Sequence, residues 1–95
     1  MYTIILSRLV MKKHVSLLRQ VGLLRKVNEI IDLLRDNPYQ TPPFYEKLNG
    51  KLDGKYSRRI NIQHRLVYDV DEDKKQIHIV SMWSHYEDVE NQKTK

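Results

Sequence analysis

Apolar residues recur at helical spacing through the first third of the chain and at every second position through much of the last third. Tyr2 to Leu6, β-branched and aromatic, predicts an opening strand, and Ser7 can cap a helix after it. In that helix Met11, Val15 and Leu18 recur at three- and four-residue intervals, with Lys12, Lys13 and Arg19 elsewhere, which predicts an inward stripe. Gly22 interrupts the pattern. A second helix is predicted from about Leu23 to Arg35, with Leu23, Val27, Ile30, Ile31 and Leu34 along one side. Asn37-Pro38 ends it, because proline cannot continue a helix and biases the residue before it to extended geometry. Two helices joined at Gly22 predict an antiparallel hairpin.

The pattern then changes. Residues 37–55 hold all three prolines and two of the three glycines, so loop and turn are predicted, of a length that in compact domains is commonly functional. From Tyr56 to Ile62 the chain alternates, with Tyr56, Arg58, Ile60 and Ile62 on one face and Ser57, Arg59 and Asn61 on the other. A turn near Gln63 and His64 leads to a strand from Leu66 to Val70. The acidic segment from Asp71 to Lys75 is predicted to turn into another strand, Gln76 to Met82, after which WSHYED closes the sheet. The tail from Val89 is polar and is expected to fray. The predicted fold is α+β: two N-terminal helices packed on one face of a mainly antiparallel four- to five-stranded sheet. Its other face is left free to bind something, and residues 1–95 are read as a single domain.

Composition narrows the classes. The 95 residues are 40% hydrophobic and 31% charged, which fits a small soluble globular domain and argues against disorder. With no cysteine there is neither a disulfide nor a thiolate metal site. The short apolar run Ile4 to Leu6 lacks a preceding basic region and reads as a strand, not a signal peptide, and no stretch approaches a membrane span. A cytoplasmic protein is expected. The formal charge of +5 favours a polyanionic partner, nucleic acid or an acidic protein, although charge alone is weak evidence.

Where the charge sits is more telling. Lys55, Arg58, Arg59 and Arg65 fall in a run without acid, flanked by Tyr56 and Tyr68. Guanidinium groups on adjacent strands bind phosphate bidentately, and tyrosines offer stacking surfaces for unpaired bases. The competing reading, arginines on a solvated face or paired with Asp69 and Asp71, stands level with it. His85 and Tyr86 come at the end of the last predicted strand. A histidine there can act as a general acid near neutral pH, though a lone one is more often a surface residue. Glu46 lies in the proline-bounded stretch among basic neighbours Lys47 and Lys51, a setting that suits a carboxylate acting as a base. One carboxylate, two or three arginines and a histidine make the inventory for RNA cleavage through the 2′-hydroxyl. The base takes the hydroxyl proton, cations stabilise the pentacoordinate phosphate, and an acid protonates the departing 5′-oxygen. No metal or cofactor is called for. His14, His64 and His78 have no zinc-ligand spacing, Gly50 and Gly54 serve turns, and Trp83 is read as packing.

At these residues the sequence resembles the Txe/YoeB family, within the RelE/ParE-like toxin superfamily. The likeness runs from about Asn37 to Tyr86, through YEKLNGKLDGKYSRRINIQHRLVY and then MWSHY. The helical half matches in pattern. The resemblance implies a type II toxin with a RelE/YoeB-like fold that enters the ribosomal A site and cleaves mRNA there. By the same resemblance Glu46 is the general base, Arg65 the main phosphate-stabilising residue and His85 the general acid, while Arg59 and Tyr86 match further active-site positions. Arg58 and Lys51 are added as substrate-binding candidates. Where the family commonly carries a lysine three residues after the glutamate this chain has Asn49, so Lys47 or Lys51 is the expected stand-in. A YefM/Axe-like antitoxin with an acidic, folding-on-binding segment is the implied partner, and operator DNA is contacted only through that complex. A homodimer is a further possibility of the family. The alternatives are a non-cleaving binding module of the same fold, or a toxin acting on another target such as DNA gyrase, which lacks the Glu, Arg and His set.

Overall fold

A computed structural model of the protein describes residues 1–84. The opening strand β1 is Thr3–Leu6. Ser7 caps the helical segment after it: its Oγ accepts from the Val10 amide at 3.2 Å and donates to the Val80 carbonyl at 3.0 Å. The first helix is not regular. A π-helical stretch, Val10–His14, precedes α1, Val15–Gln20. The wider turn shifts the helical phase, so Val10, His14 and Leu18 are the residues that go inside. Met11, expected in the inward stripe, is 61% exposed for this reason.

Gly22, at φ 76°, makes the turn into α2, Leu24–Asp36, which buries Val27, Ile30 and Leu34. Asn37 ends the helix in extended geometry before Pro38, as expected.

The stretch predicted as loop holds a strand. Tyr45–Lys47 forms β2, paired antiparallel to β3, Tyr56–Arg59. Gly50–Leu52 is a short 3-10 turn between them. Next come β4, Arg65–Asp71, and β5, Gln76–Ser81. β3 stops at Arg59 instead of Ile62. Asn61 Oδ1 accepts from the amides of Gln63 and His64 at 2.9 and 2.7 Å, closing a turn that buries Ile60 and leaves Ile62 outside. β5 likewise ends one residue early, and Trp83 and Ser84 do not continue the sheet; the remainder of the predicted closing strand, with the tail, lies outside the described residues.

The five strands lie in the order β1-β5-β4-β3-β2. β1 runs parallel to β5 and every other pair is antiparallel. This is the expected α+β architecture. Both helices pack on the face carrying Leu66, Tyr68, Ile77 and Ile79, and with them form the main core. The opposite face is not wholly free: Leu48 and Leu52 cover Val67 and part of Val80. Glu72, in the β4–β5 turn, ties distant parts together by accepting from the Tyr2 and Tyr39 hydroxyls and from Lys75. Those donors hold its carboxyl down at about 2, Tyr39 first among them.

Candidate functional site

The strand register sorts the basic run onto two faces. Tyr56 pairs with Tyr68 and Arg58 with Leu66, on the helix side; Ser57 pairs with Val67 and Arg59 with Arg65, on the other. Glu46 pairs with Ser57 and so joins Arg59 and Arg65 on that second side.

Arg58, expected to meet substrate, is 1% exposed. Its Nε donates to the Tyr68 hydroxyl at 3.2 Å, Nη1 to the Pro43 carbonyl at 2.9 Å, and Nη2 to the carbonyls of Pro38 and Gln40 at 3.0 and 2.8 Å. The Tyr45 ring packs on the same guanidinium, 4.8 Å from its centre. Arg58 therefore holds the proline-rich segment to the sheet, and with four guanidinium N–H groups turned to these internal partners it reaches the cavity described below as a buried wall residue. Tyr68, expected as a stacking surface, is fully buried and donates to Pro38 at 2.8 Å. Burial pushes its phenol up, against the lowering effect of Arg58.

Arg59 and Arg65 differ from Arg58. They sit directly opposite one another across β3 and β4. Like charges in that position repel, so the pair is a local cost unless an anion joins it. Neither takes part in an ion pair among the described residues: Asp69, one expected partner, binds Lys55 at 3.2 Å and His78 at 2.7 Å. Among the described residues the Arg65 side chain makes its three hydrogen bonds through Nη1, to the carbonyls of Asn61, Ile62 and His64. One edge of its guanidinium is thus anchored by the turn that ends β3.

A cavity of about 440 Å³ gathers these groups: Glu46, Ser57, Arg59 and Arg65 line it, with Pro43 and Phe44 on one wall and Lys26 and Ile30 of α2 on another. Three of its polar and aromatic residues, Lys26, Phe44 and Ser57, were not singled out in the sequence. Lys26 looked like one cation among many on a helix, and only the packing of Ile30, one turn on, signals where that side points. Phe44 is 77% exposed, an aromatic left outside the core at the mouth of the cavity. The Ser57 hydroxyl is buried and has no hydrogen-bond partner among the described residues.

Lys51, a substrate-binding candidate, is exposed on the 3-10 turn and does not line this cavity. Lys47 and Asn49 line a smaller one, of about 250 Å³, beside Tyr56. The helix cation Lys26, not Lys47 or Lys51, therefore accompanies Glu46. His85 and Tyr86 lie outside the described residues. Ser84, the covalent neighbour of His85, is bonded to the site, its carbonyl accepting from the Arg65 amide at 3.1 Å. Among the described residues no three His, Asp or Glu side chains gather as a metal site would require.

A family model described as the YoeB-like toxin of bacterial type II toxin-antitoxin systems matches residues 12–86. The chain belongs to that family. It is 43% identical over 51 residues to the YoeB toxin of an Escherichia coli O6:H1 strain, covering 54% of this chain and 61% of the relative's own length. Among solved structures it is similar to the toxin in a heterotetrameric YoeB-YefM toxin-antitoxin complex from Staphylococcus aureus, at 34% identity and TM-score 0.74, covering 90% of this chain and 99% of that one. A YoeB dimer from the same bacterium matches at 34% identity and TM-score 0.75, covering 90% and 98%. The two solved structures share the α+β fold described above.

Proposed function

We propose that this chain is an mRNA-cleaving endoribonuclease toxin acting on the ribosome, with residues 1–95 as one toxin domain. The observation that carries the reading is the Arg59–Arg65 pair, in register on one sheet face, unpaired with any described carboxylate and facing a cavity that also holds Glu46. A phosphodiester supplies the anion that such a pair lacks. Glu46 takes the proton of the 2′-hydroxyl, and the 2′-oxygen attacks phosphorus. Arg65, its guanidinium steadied through Nη1, and Arg59 stabilise the charge of the pentacoordinate phosphate. The phosphorus–5′-oxygen bond breaks, His85 gives the departing oxygen its proton, and a cyclic 2′,3′-phosphate remains. No metal takes part in this scheme. Tyr86 lies beside His85 in sequence and completes the substrate contacts. Lys26 neutralises a neighbouring phosphate, and Phe44 offers a ring on which an unpaired base stacks.

Membership of the family supports a cognate antitoxin of the YefM kind, whose acidic segment covers the basic cavity, with operator DNA reached only through that complex. The YoeB dimer of Staphylococcus aureus supports a homodimer. Among the described residues no helix is long and apolar enough to cross a membrane, and the proposed site of action is the cytoplasm.

The test is primer extension on a translated mRNA, with purified protein added in the presence and absence of ribosomes. Ribosome-dependent cuts are expected. Glu46→Gln is expected to slow them by about 10²–10⁴-fold, Arg65→Ala by at least about 10²-fold, and a 2′-deoxynucleotide at the scissile position to abolish them. Cleavage undiminished by either variant, or indifferent to the missing 2′-hydroxyl, rejects the mechanism.

A further inference from the structure

Two histidines that the cleavage scheme does not use hold the chain as it leaves β5. His14, from the π-helical stretch, and His64, from the turn before β4, are both buried. His14 Nδ1 accepts from the Met82 amide at 3.0 Å, and His64 Nδ1 accepts from the Ser84 amide at 2.8 Å. Between these two anchors Trp83 stacks on the His64 ring, centroids 4.0 Å apart and planes inclined by 24°. The Ser84 carbonyl then accepts from the Arg65 amide at 3.1 Å. Three successive residues are fastened, and the last of them is tied to a residue lining the cavity.

Both anchors require the same protonation state. A backbone amide can only donate, so each Nδ1 must offer a lone pair, and each ring is neutral with its proton on Nε2. A proton on either Nδ1 turns an acceptor into a second donor facing a donor. We propose that His14 and His64 are positioning residues for the cleavage reaction: as neutral acceptors they hold residues 82–84 against Arg65, and their protonation in acid lets that segment go. This rests on the reading in which His85, next in the chain after Ser84, serves the phosphate that Arg65 binds.

The surroundings favour the neutral form. Burial lowers the pKa of His14 first, followed by the charges of Lys13 and His64; burial and then Arg65 lower that of His64. Among the described residues the groups facing the two rings are therefore the charged Lys13 and Arg65 and the titratable rings themselves. In the unfolded chain both rings titrate near the ordinary value of 6.5. With the folded values depressed, the contribution of the clamp is complete above 6.5 and is lost progressively as pH falls below it. A general-acid His85 would by itself make cleavage faster as pH falls, the opposite sign.

Trp83 is the sole tryptophan and stacks on one of the two rings, so its fluorescence reports the clamp without any need for activity. A titration from about pH 8 to about pH 5 is expected to quench it below pH 6.5, with far-ultraviolet circular dichroism unchanged. Asparagine keeps an acceptor near the Nδ1 position but does not titrate, so His64→Asn is expected to remove the transition. In parallel, kcat of the unaltered toxin on ribosome-bound mRNA should fall roughly tenfold between about pH 7 and about pH 5, KM changing little, and His14→Asn/His64→Asn should flatten that fall. Long-range proton–nitrogen spectra of the unaltered protein supply a measurement that does not depend on a variant folding: both rings must appear as the neutral Nε2–H tautomer at pH 7. An Nδ1–H tautomer, a quenching transition that survives in His64→Asn, or identical acid limbs in parent and double variant overturns the proposal. Absence of cleavage by the parent at every pH rejects the nuclease reading instead, and the fluorescence and tautomer results then decide the clamp by themselves.

Discussion

Arg58 and Arg59 are adjacent in sequence, alike in charge and opposite in circumstance. Arg58 is enclosed, with four hydrogen bonds to three carbonyls and a tyrosine hydroxyl; Arg59 is exposed at the cavity. Arg58→Ala strands several buried acceptors, and a loss of about 3 kcal/mol or more is expected in chemical denaturation. Arg59→Ala removes no side-chain hydrogen bond or ion pair among the described residues and should stay within about 0.5 kcal/mol of the parent, while slowing cleavage. If Arg59→Ala proves the more damaging to stability, the two residues have been assigned the wrong way round. The alternation from Tyr56 to Ile60 already separated them onto opposite faces. It could not say which face is buried, because the groups enclosing Arg58 are carbonyls of Pro38, Gln40 and Pro43, fifteen to twenty residues away. Nothing in the identity of an arginine announces that a distant proline-rich segment closes over it.

At the scale of elements, α2 and the strands β4 and β5 were legible because local periodicity and burial agree there. Two elements were not. β2 is three residues long, between Pro43 and Gly50, and exists because Tyr45–Lys47 finds the edge of β3, a long-range pairing that no local propensity encodes. That pairing changed Glu46 from a loop residue to one fixed in register beside Ser57, and so made the site more definite than the sequence could. The π-helical stretch misled for a different reason: one wide turn moves the buried stripe by a residue, from Met11 to Val10 and His14. The displacement is measurable. Met11→Lys should leave stability within about 0.5 kcal/mol, whereas Val10→Ala, at a fully buried position, should cost about 2 kcal/mol and lower Tm by several degrees. The reverse order would mean that a regular helix with the sequence-predicted stripe is the true arrangement.

At the scale of the whole molecule, a formal charge of +5 attracts any polyanion, and only its distribution distinguishes a site from a general affinity. Of the cations noted in the sequence, Arg59 and Arg65 line the cavity, Arg58 lines it too but is buried and hydrogen-bonded internally, and Lys51 stands outside; Lys26 arrives from α2. RNA binding should record that distribution. Each phosphate neutralised on a single strand adds about 0.7 to the slope of log affinity against log salt. For a short unpaired RNA, Lys26→Ala and Arg59→Ala should each lower the slope by about that amount, and Lys51→Ala should leave it unchanged. Fluorescence anisotropy across a salt series measures all three. A slope that drops for Lys51→Ala but not for Lys26→Ala would move the phosphate track off the Glu46 cavity and onto the 3-10 turn. The strand pairing of Arg59 with Arg65 would then have lost its physical explanation, since two opposed guanidinium groups would remain without the anion that makes their juxtaposition tolerable.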